Sequence, residues 1–99
     1  MKRVLLIVGT RPEAIKVAPV VLAMNEPDSG FAPLVCLTGQ HPQLAQEAFA
    51  VFGIEASTHL DCVPPGGDLC VTAASVVQAV GAVIDEHRPD AVLVQGDTL

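Results

Sequence analysis

Gly9-Thr10 followed by Arg11-Pro12-Glu13-Ala14-Ile15-Lys16 carries the densest chemistry in this chain. An apolar run over residues 4–8 leads into it, and helix-start residues follow. A strand that turns into a helix here puts a guanidinium, an ammonium and a bare helix N-terminus at the strand's carboxyl end. All three attract anions, and phosphate is the anion most often found at such a place. A second apolar run, residues 91–95, leads into Gly96-Asp97-Thr98-Leu99. One strand therefore delivers cations to its tip, and another delivers a carboxylate.

The elements that must position these groups follow from the pattern. Residues 4–8 form a continuous apolar stretch, the mark of a strand buried on both faces. Thr10 suits an N-cap, and Pro12 falls in the first turn, where its missing N–H is harmless. Ala14, Val17, Ala18 and Val21 recur at helical spacing, so a helix is expected to about Met24, kinked or divided at Pro19. Residues 31–38 read as a second strand. A second helix is expected after Pro42, with Leu44, Ala48, Val51 and Phe52 on its inner face and Gly53 ending it. Residues 57–62 read as a weak edge strand. Asp68 can cap a third helix, with Leu69, Ala73, Val76, Val77, Val80, Val83 and Ile84 as its apolar stripe. Arg88-Pro89-Asp90 ends it, and residues 91–95 are the fourth strand.

This β-α-β-α-β-α-β order calls for an α/β fold, a Rossmann-like parallel sheet with helices on both faces. Right-handed crossovers give the strand order 3-2-1-4. The first and fourth strands then lie side by side at the switch point, where open α/β sheets bind ligands. Gly9, Thr10 and Arg11 would face the same crevice as Gly96, Asp97 and Thr98.

Size and composition bound the function. The chain has 99 residues, enough for one domain, and 51% are apolar, enough for a core. The net charge is −6 with only five Lys and Arg, which disfavours a nucleic-acid surface and suits a small anionic ligand held by a local pair of cations. Cys36, Cys62 and Cys70 form no C-x-x-C pair and read as reduced, buried small hydrophobes of a cytoplasmic protein. Residues 4–8 are too short for a signal sequence, and no unbroken apolar run reaches the ~18 residues of a membrane span. No His, Cys or Asp cluster has metal-ligand spacing. The first turn lacks G-x-G-x-x-G, so a tightly bound NAD is not supported; no cofactor is expected.

Gly9-Thr10-Arg11-Pro12-Glu13-Ala14-Ile15-Lys16 with Ala18-Pro19, then Thr38-Gly39-Gln40-His41, Phe52-Gly53-Ile54, and Pro89-Asp90 leading to Gly96-Asp97-Thr98, resembles the start of the bacterial non-hydrolysing UDP-N-acetylglucosamine 2-epimerases. The resemblance runs the length of the chain, and its first motif is the most specific part. It implies an isomerase that interconverts UDP-N-acetylglucosamine and UDP-N-acetylmannosamine for polysaccharide synthesis. The family's fold is a twin-Rossmann, GT-B-like architecture with the active site between two domains. Residues 1–99 resemble the first half of its N-terminal domain, with the C-terminal domain absent and a homodimer implied for the full-length enzyme.

The family reaction removes the proton at sugar C2, eliminates UDP, and adds it back with the opposite configuration. By resemblance, Arg11 contacts the nucleotide, Lys16 neutralises the departing diphosphate, and Asp97 is an active-site carboxylate, either acid/base or a ligand of a sugar hydroxyl. Gly9 and Thr10 line the substrate side. Gln40, His41 and Gln43 match the opening of the helix where relatives bind a second, activating UDP-N-acetylglucosamine. Two departures bear on that allosteric site: Pro42 stands where arginine is common, and residues 64–68 contain no arginine.

Bland roles compete at each position. Arg11 and Lys16 suit a solvated helix face, Asp97 a turn, Thr10 a cap, and Glu13 a favourable charge on the helix dipole. At the level of function, a hydrolysing relative and a non-catalytic nucleotide-binding module are the alternatives. The 99-residue chain alone is expected to be inactive. The apolar edge of its fourth strand is expected to promote self-association.

Overall fold

In the computed structural model, residues 1–38, 42–60 and 68–95 are described. They form seven elements: β1 (Lys2–Val8), α1 (Arg11–Met24), β2 (Phe31–Leu37), α2 (Pro42–Val51), β3 (Thr58–His59), α3 (Leu69–His87) and β4 (Ala91–Val94). The four strands make one sheet in the order β3-β2-β1-β4, with every pairing parallel. This is the expected 3-2-1-4 arrangement. The register sets Val8 beside Leu37 and Ile7 beside Val94, so the carboxyl ends of β1, β2 and β4 come out along one edge.

Alternation along β1 explains why the sheet is covered on both faces. Val4, Leu6 and Val8 point into a core completed by Ala14, Val17, Ala18 and Val21 of α1 and by Ala45 and Phe49 of α2. Leu5 points the other way, into a smaller cluster with Cys36 of β2 and Val83 of α3, against which Ile7 and Ile84 pack. Successive strand residues face opposite sides, so one uninterrupted apolar run serves both layers.

Pro19 does not divide α1, which runs unbroken from Arg11 to Met24. Pro19 removes the N–H that would bond the carbonyl of Ile15, but both residues are exposed. Water can serve that carbonyl, while Val17, Ala18 and Val21 pin both halves to the sheet.

The inner face of α2 differs from the sequence expectation. Leu44, Val51 and Phe52 are exposed, Val51 at 84%, whereas Ala45 and Phe49 are fully buried and Ala48 is partly so. The C-terminus of the helix sets this rotation. Gly53 adopts φ +72°, the Gly53 N–H donates to the Ala50 carbonyl and the Ile54 N–H to the Phe49 carbonyl. This pair of bonds is a Schellman motif, whose hydrophobic contact joins the residue after the glycine to the residue four before it. Ile54 and Phe49 share the larger core, so the motif turns Phe49 inward.

On α3 the expected stripe is only partly used. Val83 is buried and Ile84 half-buried, but Leu69 and Val77 are exposed. The helix caps as expected, with Asp68 Oδ1 accepting from the Val71 N–H at 2.8 Å. By length and composition it is long enough and apolar enough to cross a membrane, contrary to the expectation from unbroken apolar runs. Thr72, Ser75 and Gln78 interrupt the run, but the helix stays apolar on average. Its position, linking β3 to the parallel strand β4 and packing on the sheet through Val83, is that of a crossover helix. Cys70, on its first turn, is exposed rather than buried; Cys36 is buried as expected, and Cys62 lies outside the described residues.

The expected strand over residues 57–62 is limited to Thr58 and His59 among the described residues. β4 begins on a pin that sequence reading treated only as a helix end. Asp90 Oδ2 accepts from the Arg3 N–H at 2.7 Å, and the Asp90 N–H donates to the Arg3 carbonyl at 2.8 Å. Just before it, Arg88 caps α3 in the left-handed region at φ 46°, ψ 59°. A side chain there is disfavoured by about 1–2 kcal/mol, partly offset by the greater unfolded-state freedom of glycine. Arg88→Gly is expected to stabilise the fold by about 0.5–1 kcal/mol. Thermal melts should show a rise of several degrees, and an unchanged or lowered midpoint would contradict it.

Candidate functional site

The candidate site begins where β1 ends. Val8 is the last ladder residue, and its carbonyl accepts from the Thr38 N–H at 3.0 Å, which holds the buried Thr38 beside the turn. Thr10 is extended (φ −133°, ψ 165°) and caps α1, its Oγ1 accepting from the Glu13 N–H. Glu13 answers with its side chain. Oε1 accepts from the Gly9 N–H at 2.7 Å and from the Thr10 N–H at 3.1 Å. This is a reciprocal capping box, and the Glu13 side chain that closes it is only 5% exposed.

The helix N-terminus is therefore not bare, as the sequence reading supposed. The Gly9 and Thr10 amides hold the Glu13 carboxylate, the Glu13 amide holds Thr10, and Pro12 has no amide hydrogen. The donors that would cradle a phosphate at this turn are largely occupied from within the chain. Gly9 makes room for this: a Cβ there would stand 3.2 Å from Glu13 Oε1 and 3.6 Å from Thr38 Oγ1. The Thr10-x-x-Glu13 spacing carried the signal of a capping box in the sequence.

Arg11 and Lys16 are both exposed on the first turns of α1. Five residues separate their Cα atoms by about 7.5 Å along the helix axis and about 140° around it. Long helical side chains lean towards the N-terminus, so Lys16 can reach back to the end of the helix that Arg11 occupies. Arg11 also lines a groove between α1 and α2, about 420 Å³, with Ile15, Leu44, Glu47, Val51 and Phe52. The apolar side chains that sequence reading placed inside α2 form much of that wall. Gln43 is exposed on the first turn of α2. Gln40, His41 and Asp97 lie outside the described residues, as do Gly96 and Thr98. β4 runs parallel to β1 and reaches Val94 opposite Ile7, so the chain leaves β4 at the same edge of the sheet as Gly9. No group of three potential metal ligands occurs among the described residues.

A family model described as UDP-N-acetylglucosamine 2-epimerase matches residues 23–99. The chain belongs to the UDP-N-acetylglucosamine 2-epimerase family. A Yersinia pestis UDP-N-acetylglucosamine 2-epimerase is 38% identical over 96 residues, which is 97% of this chain and 25% of that protein. The crystal structure of UDP-GlcNAc 2-epimerase from Neisseria meningitidis bound to UDP-GlcNAc superposes with a TM-score of 0.88 at 35% identity, covering 97% of this chain and 26% of that one. An S. aureus co-structure with UDP superposes at a TM-score of 0.85 and 34% identity, over 99% of this chain and 25% of that one. The chain spans about a quarter of the length of the relatives it matches and corresponds to their N-terminal part. The family match begins inside α1, but these alignments take in almost the whole chain. The four-stranded parallel sheet is thus the N-terminal portion of a GT-B-like epimerase fold.

Proposed function

We propose that this chain forms the first half of the N-terminal domain of an enzyme that interconverts UDP-N-acetylglucosamine and UDP-N-acetylmannosamine. The observation that carries the reading is the parallel pairing of β4 against β1, which sets Val94 beside Ile7, at the edge of the sheet where the β1–α1 turn presents Arg11. Family membership supplies the substrate class. Arg11 offers a planar fork of donors to the diphosphate or uracil, and Lys16 offers a mobile point charge. Together they stabilise charge as UDP leaves. Asp97, two residues beyond Gln95, then acts on the sugar as acid/base or as the ligand of a hydroxyl. Gln40, His41 and Gln43 at the opening of α2 are the proposed contacts of an activating second nucleotide sugar. The protein works in the cytoplasm without a cofactor, and the full-length enzyme is a homodimer.

UDP titrated into the chain and followed by amide NMR should shift residues 9–16 and the residues after Val94, with a response that weakens as salt rises. An equal response to uridine would show that the diphosphate is not what is recognised. The 99-residue chain supplies one wall of the cleft, and it is expected to give no detectable turnover of UDP-N-acetylglucosamine. Appearance of UDP-N-acetylmannosamine, with contaminating enzyme excluded, would overturn that expectation. On its own the chain should also self-associate, because Val92, Leu93 and Val94 are exposed on β4. A single monomeric species by light scattering at high concentration would count against this.

A further inference from the structure

The buried Glu13 carboxylate has no part in the chemistry proposed above, yet it closes the turn on which Arg11 stands, three residues before Lys16 on the same helix. We propose that Glu13 is a positioning residue that fixes the β1–α1 turn so that Arg11 and Lys16 meet the diphosphate; this rests on the function proposed above.

First, one oxygen of Glu13 takes the amides of two successive residues, Gly9 at 2.7 Å and Thr10 at 3.1 Å, while Thr10 Oγ1 takes the amide of Glu13. Those bonds close a ring around Arg11 and Pro12, and Pro12 adds a fixed φ of its own. The Cα–Cβ direction of Arg11 is therefore set before any ligand arrives. Second, the same bonds occupy the Gly9, Thr10 and Glu13 amides, and Pro12 has none, so the turn offers an anion little backbone beyond the Arg11 amide. Recognition of the anion then falls on side chains, and side-chain recognition is tight only when the side chains start from the right place. Third, the absence of a side chain at Gly9 leaves the carboxylate its seat.

The sign of the effect separates positioning from electrostatics. Glu13 is a negative charge close to an anion site, so by Coulomb attraction alone its removal would tighten UDP binding. Positioning requires the opposite for Glu13→Ala. Glu13→Gln removes the charge but keeps a carbonyl oxygen with two lone pairs for the same two amides.

The test is UDP affinity by calorimetry on the wild-type chain, Glu13→Ala and Glu13→Gln, at a temperature where melts show all three folded. Hydrogen exchange at the Gly9 and Thr10 amides is read in parallel. Glu13→Ala is expected to bind UDP about tenfold more weakly and to lose protection at both amides. Glu13→Gln is expected to keep the protection and to bind at least as tightly as the wild type. A folded Glu13→Ala that binds UDP as the wild type does, or better, overturns the proposal and leaves Glu13 a helix cap only. So does a Glu13→Gln as weak as Glu13→Ala with its amides still protected. A wild-type chain that binds no UDP overturns the placement of the diphosphate on Arg11 and Lys16, and with it this proposal, and is told apart because its failure precedes any substitution.

Discussion

Phe49→Ala should destabilise the fold by about 3–5 kcal/mol, whereas Val51→Ala, two residues away on the same helix, should change it by less than about 0.5 kcal/mol. Phe49 is fully buried in the larger core and Val51 is 84% exposed. Truncating Phe49 loses the transfer energy of a ring and leaves a hollow between α1, α2 and the sheet. The site cannot collapse freely, because the bond from Ile54 to the Phe49 carbonyl and the left-handed Gly53 hold the backbone in place. A domain of this size has about 5–15 kcal/mol in total, and exposed apolar surface on α3 and β4 puts this one towards the lower end. The melting midpoint of Phe49→Ala should fall by about 12–40 °C, at about 4–8 °C per kcal/mol. Equal effects of the two substitutions would mean that α2 is rotated from the orientation described. The reverse order would restore the face read from the sequence.

That contrast shows where the sequence was readable and where it was not. The strands and their order were legible because residues 4–8 are apolar without interruption and the elements alternate. Few topologies satisfy both at this length. The caps at Thr10, Gly53 and Asp68 were legible because single residue types dominate such positions. The rotation of α2 was not, because two stripes compete at helical spacing: Leu44, Ala48 and Val51 on one side, Ala45, Ala48 and Phe49 on the other. Periodicity weighs both alike, and the choice depends on the contact between Phe49 and Ile54 across the end of the helix. Glu13 was read only in part, for a related reason. A glutamate in the first turn satisfies the helix dipole wherever its side chain points, and only the bonds to Gly9 and Thr10 distinguish a buried clamp from an exposed charge. Asp90 was passed over because its partner, Arg3, is 87 residues away in sequence. At the site, the sequence identified the cations of α1, and the adjacency of β1 and β4 followed from topology. What it overstated was the helix N-terminus as an open anion cradle.

Removing both cations should have the largest effect on ligand binding. With the Gly9, Thr10 and Glu13 amides occupied, the backbone offers a diphosphate little beyond the Arg11 amide, and in the proposed function Arg11 and Lys16 are its principal partners on α1. A hydrogen bond to a charged group contributes about 1.5–3 kcal/mol, and exposure to solvent and salt moves both residues to the lower end. Arg11→Ala and Lys16→Ala should each weaken UDP binding about tenfold, and the double variant about a hundredfold if the two act independently. Arg11→Lys should not recover the loss, because an ammonium cannot reproduce the planar fork; Lys16→Arg should recover part of it, since a point charge is replaced by another cation. Uridine carries no phosphate, so its binding should be the same in all five variants when the Arg11 fork meets the diphosphate; a loss confined to the Arg11 variants would place that fork on the uracil. Calorimetric titrations of UDP and uridine at two salt concentrations would separate these outcomes. If the double variant bound UDP as tightly as the wild type, the diphosphate would have to be held elsewhere, and the first turns of α1 would be a scaffold for the sheet and no more.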